Sequence, residues 1–157
     1  MNNCYPYLPE GKIIEYVKEN NLFMVEAKLM RNNYSSDSNH PTGAVVVLNG
    51  KIVGRFANQS TIKNKKILDL HRNGLCVRKI LRIPSGKAYW LCPGCASFRN
   101  HAESGAVKDA LLRQKSIIGA DIYLFGHWWC CKPCWDSMVK VGIAHVYLVE
   151  GATELFR

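Results

Sequence analysis

Two short stretches hold side chains whose types and spacing suit metal chemistry: His101-Ala102-Glu103 and Cys131-Lys132-Pro133-Cys134. One imidazole and two thiolates can hold Zn²⁺ tetrahedrally and leave the fourth position to water, the ligand set of a catalytic rather than a closed structural site. Each stretch is expected to open a helix, and a helix N-terminus stabilises thiolate charge. Glu103, two residues from His101, can approach a bound water without ligating the metal, ready to take and return protons. The competing reading, an inert or purely structural zinc site, leaves that carboxylate without a role.

The other cysteines extend the metal theme. There are seven: Cys4, Cys76, Cys92, Cys95, Cys130, Cys131 and Cys134. The odd count, and an N-terminus without a basic-then-apolar export pattern, argue for metal ligation over a disulfide framework. His71-x4-Cys76-x15-Cys92-x2-Cys95 has the spacing of a second, four-ligand structural zinc site, with buried free thiols as the alternative. Cys4 and Cys130 fall in neither set.

These residues must be positioned by a chain of 157 residues and 17.7 kDa, 48% hydrophobic and 21% charged. That length and composition predict one globular domain over 1–157, able to bury a core without cross-links. No apolar run approaches the ~18 residues of a membrane span, so a cytoplasmic protein with no membrane partner is expected. Twenty-one Lys and Arg oppose twelve Asp and Glu, for a net charge of +9. Eight of the cations (Lys63, Lys65, Lys66, Arg72, Arg78, Lys79, Arg82 and Lys87) lie within 63–87, against the single acid Asp69. This is either a solvated basic face or a site for phosphate or nucleic acid.

Apolar spacing predicts a helix over Gly11 to Arg31, and Asn32 to Thr42 reads as a polar loop. Gly43–Leu48 and Lys51–Phe56 are β-branched runs joined by Asn49-Gly50, a strong hairpin signal. Gln59 to Asn100 reads as irregular, with a turn at Ile83 to Gly86. A helix over His101 to Gln114, a strand at Asp121–Phe125, a helix over Cys131 to Val141 and a strand at Ala144–Val149 complete an α/β pattern. The helix joining the last two strands favours a parallel pair.

Taken together, His101-Ala-Glu103 followed by Cys131-x-x-Cys134 resembles the zinc-dependent cytidine and deoxycytidylate deaminases. The likeness extends to the Gly43–Gly54 hairpin, Asn58, Cys76-Val-Arg78, Ile83-Pro-Ser-Gly86, Tyr89, Cys92 and the Cys131–Ile143 segment. It covers roughly 43–149 and is similar to the deoxycytidylate-deaminase-like members in particular. The resemblance implies a three-layer α/β/α sandwich with a mixed sheet, interrupted here by a basic, cysteine-containing insert at 60–100. It implies a catalytic zinc on His101, Cys131 and Cys134, with Glu103 as the proton carrier. It implies substrate contacts from Asn58 near the sugar, Ala102, Trp128 and His127. Trp128 resembles the tryptophan of the polynucleotide deaminases' SWSPC motif; core packing is the alternative for either Trp128 or Trp129, and turn capping for Asn58. His40 and His145 are read as structural, and a homo-oligomer is expected.

Three departures stand out. Cys130 replaces the usual proline before the first cysteine ligand, Gly105 replaces a frequent asparagine, and the segment after Val149 is short for the family's fifth strand. Three functions follow as expectations. The first is hydrolytic deamination of a cytosine nucleoside or nucleotide. The second is deamination of bases in single-stranded DNA, RNA or tRNA, with the insert tracking the backbone. The third is a non-catalytic zinc protein that binds nucleic acid.

Overall fold

In the computed structural model, which describes residues 7–84 and 87–157, the first segment departs from the predicted single helix. It divides into a strand, β1 (Ile14–Val17), and a helix, α1 (Leu22–Tyr34). The division falls at Asn21, whose side chain accepts hydrogen bonds from the backbone N–H groups of Phe23 and Met24 and so caps the helix. The strand draws its ladder from the other end of the chain, pairing in parallel from Ile14 opposite Val146 to Val17 opposite Val149. Local periodicity carries no trace of so distant a partner.

The hairpin forms as expected: β2 (Gly43–Leu48) and β3 (Lys51–Ala57) are antiparallel, and both turn residues take positive φ, Asn49 at 51° and Gly50 at 73°. The insert is more ordered than its weak periodicity suggests. It contains α2 (Lys65–Arg72), capped by the Asn64 side chain, and α3 (Val77–Ile80), followed by two 3-10 turns. Ser85 and Gly86 of the expected Ile83–Gly86 turn, and Cys4, lie outside the described residues. Then come α4 (Ala102–Arg113), β4 (Asp121–Phe125), α5 (Lys132–Lys140), β5 (Val146–Val149) and α6 (Ala152–Phe156).

The five strands form one open mixed sheet in the order β1-β5-β4-β2-β3, with β1, β5 and β4 mutually parallel and β2 antiparallel to both neighbours. The edge beside β5, where a fifth strand was expected to be short or missing, is taken by β1. Register assigns the layers. Gly43, Val45, Tyr123 and Phe125 share one face, on which α1 packs; Gly43 sits against the Ala27 carbonyl and Arg31 backbone, and Phe23 packs on Tyr123 with the ring planes tilted by 51°. Val46, Gly54, Ile122 and Leu148 share the other face, covered by α4, which packs in turn on α5. The result is the expected three-layer sandwich. Among the described residues, no helix is long and apolar enough to cross a membrane.

The approach of α4 to β3 depends on Gly54. A Cβ there would meet the Ala106 carbonyl and stand 2.7 Å from the backbone nitrogen and the Cβ of Ala110. Backbone cannot give way as a long side chain can. Gly54→Ala is therefore expected to cost about 2 kcal/mol of stability, read as a lower midpoint in urea; an unchanged midpoint would contradict this packing.

Candidate active site

The two motifs reach one point because their helices start side by side. His101 is the N-cap residue of α4 and Cys131 that of α5, with Pro133 in the first turn of α5 setting φ for helix entry. The His101 Nδ1 atom lies 3.5 Å from Cys131 Sγ and 3.4 Å from Cys134 Sγ. A tetrahedral zinc with Zn–S of about 2.3 Å and Zn–N of about 2.0 Å requires N···S edges of about 3.5 Å. The donor set therefore fits zinc in both type and spacing. Hydrogen bonds from Cys134 and then His101 pull the Cys131 thiol down to about 5, and Cys134 moves up as the partner that keeps its proton. Burial alone would lower His101, but its hydrogen bond to Cys131 and the Glu103 charge outweigh it, so the net shift is upward.

Glu103 is buried in the first turn of α4 and lines the same cavity. Burial pushes its carboxyl above the usual range, against the pull of His101. Cys130 finds its place here. It stands outside the His101 cluster and is wholly buried, and burial together with the Glu103 charge pushes its thiol well up. The structure gathers Cys131 and Cys134, not Cys130, beside His101, whereas the influence of Glu103 on Cys130 left no mark in the motif.

The cavity has about 740 Å³ of open space, counting its mouth. Ala102, Asn58 and His127, the expected substrate contacts, are on its lining. Asn58 is already heavily engaged. Its Oδ1 accepts from the Thr42 N–H (2.8 Å) and the Ser35 hydroxyl (2.6 Å), and its Nδ2 donates to the His40 carbonyl (2.8 Å). This braces the 35–42 loop and leaves one amide hydrogen. His127 Nδ1 accepts from the backbone N–H of Trp128 at 3.1 Å. Burial pushes its imidazole down to about 3, so the ring is neutral at pH 7 with its proton on Nε2.

The tryptophans exchange their expected places. Trp129 is on the cavity wall and Trp128 is not; Trp128 instead packs under the Arg157 guanidinium, 5.3 Å from its carbon to the ring centroid. His40, expected to be structural, lies on the cavity wall 6.3 Å from the His127 ring. His145 does have a structural role, its Nδ1 lying 2.8 Å from the Asp121 carboxylate.

A second group of donors assembles inside the insert. His71, Cys76, Cys92 and Cys95 are all buried, with their donor atoms mutually within 4.8 Å. Cys95 Sγ lies 3.7 Å from Cys76 Sγ and 3.4 Å from His71 Nε2, again close to the edges of a zinc tetrahedron. His71 Nδ1 is 3.0 Å from the Ser38 hydroxyl, which directs Nε2 towards the sulfurs, although Nε2 also faces Asn39 Nδ2 at 2.9 Å. Gly94 permits this closeness, since a Cβ there would run into the His71 ring.

The charges of the insert also sort themselves. Lys63, Lys65, Lys66, Arg72, Lys79, Arg82 and Lys87 are exposed, but Arg78 is buried. Of the exposed seven, only Lys79 lines the cavity.

A family model described as the cytidine and deoxycytidylate deaminase zinc-binding region matches residues 17–150. Comparison with curated proteins returns no match. Among solved structures, the chain is similar to a dCMP deaminase from the cyanophage S-TIM5 in complex with dCMP and dUMP. The identity is 20%, the TM-score 0.50, and the match covers 84% of this chain and 82% of that one. The same phage enzyme in apo form matches with a TM-score of 0.48 at 20% identity, covering 85% of each chain. A structure from work on A-to-I editing by tRNA:A34 deaminases matches at 21% identity with a TM-score of 0.46, over 82% of this chain and 75% of that one.

Proposed function

From the premise that this chain belongs to the cytidine and deoxycytidylate deaminase family, we propose that it is a zinc-dependent hydrolytic deaminase of cytosine nucleotides. It would convert a dCMP-like substrate to the uracil product with release of ammonia. The observation that carries this reading is the convergence of His101, Cys131 and Cys134 beside a buried carboxylate, Glu103, that faces the cavity. A non-catalytic zinc protein has no use for a carboxylate kept in that place at the cost of burial.

In this reading His101, Cys131 and Cys134 hold the catalytic zinc. When bound, zinc lowers the pKa of a coordinated water towards neutrality and so supplies a nucleophile. Glu103 takes the proton of the attacking water, passes it to ring nitrogen N3, and then carries a proton to the departing amine as C4 gains oxygen and loses nitrogen. The Ala102 N–H and the His127 Nε2–H are donors for the base, Trp129 is the aromatic wall, and the remaining Asn58 amide hydrogen serves the sugar. Lys79 is the one exposed cation of the insert on the cavity wall, which suits a substrate with a single phosphate near the base. His71, Cys76, Cys92 and Cys95 hold a second, structural zinc. Among the described residues, the apolar core of their part of the insert is three cysteines packed with Tyr89, too little to organise it alone.

A specific observation also favours a second reading, deamination within a single-stranded polynucleotide. Six exposed cations of the 63–87 stretch lie off the cavity, and Trp90, in the same insert, is 82% exposed as a ready stacking surface. Ammonia release from cytidine, dCMP, dCTP, adenosine and a mixed-sequence single-stranded oligonucleotide separates the readings. Turnover of dCMP well above cytidine is expected. Turnover of the oligonucleotide alone would replace the first reading with the second, and no turnover of any of them would remove both.

A further inference from the structure

Arg78 presents a charge problem. Its side chain is buried, and among the described residues no carboxylate lies within ion-pair distance of it. Its Nε donates to the Lys87 carbonyl (3.0 Å) and its Nη2 to the Pro84 carbonyl (3.1 Å). Carbonyls satisfy hydrogen bonds but do not neutralise a cation, and an unpaired buried charge is costly. The third contact supplies an answer: Nη1 lies 3.6 Å from Cys95 Sγ. Three thiolates and a neutral imidazole around Zn²⁺ carry one net negative charge. Occupied, the second centre would be the counterion of Arg78.

The guanidinium faces the other way as well. Its carbon sits 4.1 Å from the centroid of the Tyr89 ring, close enough for a strong cation–π contact. Tyr89 meets the His101 imidazole edge to face, with centroids 4.9 Å apart and planes at 86°. Tyr89 is held in this place by a strained backbone, because Ala88 before it takes the left-handed conformation at φ 48° and ψ 42°. Such strain in a non-glycine residue persists only where the surroundings over-determine it. Contact is therefore continuous from Cys95, a ligand of the second centre, through Arg78 and Tyr89 to His101, a ligand of the first.

We propose that Arg78 and Tyr89 form a strut that couples the His71–Cys76–Cys92–Cys95 metal centre to His101, so that occupancy of the second centre sets the orientation of a catalytic ligand. This rests on the two-zinc reading given above. Both also line the cavity, so the rate of zinc release, rather than turnover alone, reads their positioning role: Arg78 reads the charge of the second centre, and Tyr89 transmits its place to the imidazole. With the second metal gone, Arg78 loses its counterion, the cation leaves the Tyr89 face, and the His101 ring loses the wall that orients it.

The test uses the full chain loaded with zinc and reads three quantities: zinc per chain, the rate of zinc loss to a chromophoric chelator, and kcat and KM on the best substrate. Tyr89→Leu is expected to keep two zincs, release the catalytic one faster, and lower kcat about tenfold or more, with KM moving less. Tyr89→Phe should recover most of both effects, since it keeps the ring that Arg78 and His101 touch. If Tyr89→Leu does not fold, Arg78→Lys probes the same link, keeping the charge but losing the planar fork; it should likewise speed release of the catalytic zinc. Wild-type release and kcat in a folded, two-zinc Tyr89→Leu or Arg78→Lys protein would overturn the strut. A wild-type chain holding one zinc would overturn the two-zinc reading and the coupling with it. A two-zinc chain without turnover would instead defeat the assigned reaction, while zinc release would still decide the strut.

Discussion

Replacing Glu103 with glutamine is expected to lower turnover by about a thousandfold, while zinc content and the melting temperature stay near wild type. Glutamine keeps the shape of the side chain, so the buried corner behind α4 has no reason to collapse. The loss is confined to proton transfer, because an amide cannot accept a proton from water at neutral pH. Nor is there a substitute nearby. His127, also on the cavity wall, has its pKa pushed down to about 3 by burial and is committed through Nδ1 to the Trp128 backbone. Cys130 is driven upward by burial and by the Glu103 charge, so it is a poor base. Activity within tenfold of wild type would remove Glu103 as the proton carrier. A variant that lost its zinc would show instead that the carboxylate holds the centre together, so metal content has to be measured on the same sample.

What the sequence disclosed depended on how local the signal was. The hairpin, the helix after His101 and the cysteine pair at the start of α5 are all written in contiguous residues, and all were legible. β1 was not, because four residues pairing with the far end of the chain leave no periodicity of their own; Asn21, capping α1, was the clue that the 11–31 pattern contains a break. The exchange of Trp128 and Trp129 has a similar cause. Motif position singles out the residue three before Cys131, but the course of the chain after Gly126, at φ 105°, decides which ring reaches the cavity. The basic insert could be counted but not oriented. Its charges alone leave a solvated basic face and a phosphate or nucleic-acid site both open, whereas the fold buries Arg78 among carbonyls and a thiol and leaves only Lys79 of the exposed seven on the cavity. Charge can be summed from sequence, but its direction depends on packing.

Cys92→Ser should separate the insert from the rest of the fold. Cys92 belongs to the second donor cluster but does not line the cavity, unlike Cys76 and Cys95, so its loss removes a ligand without reshaping the substrate site directly. Zinc is expected to fall from two per chain to one. A metal present at a thousandfold over its dissociation constant contributes about 4 kcal/mol. At about 3 °C per kcal/mol for a chain of this size, the melting temperature should drop by roughly 10 °C. The change should begin locally, because among the described residues the apolar core of this part of the insert is the cysteines themselves, with Tyr89 against them. The insert is also dense in lysine and arginine, so trypsin should cut first between Lys63 and Lys87 in the variant and spare that stretch in the zinc-loaded wild type. The same loss frees Arg78 from its counterion, so kcat should fall together with zinc content although no cavity residue has changed. A wild-type chain that binds one zinc, or a Cys92→Ser chain that keeps two zincs, resists trypsin and melts unchanged, would mean that the four side chains are buried thiols and an imidazole packed without a metal.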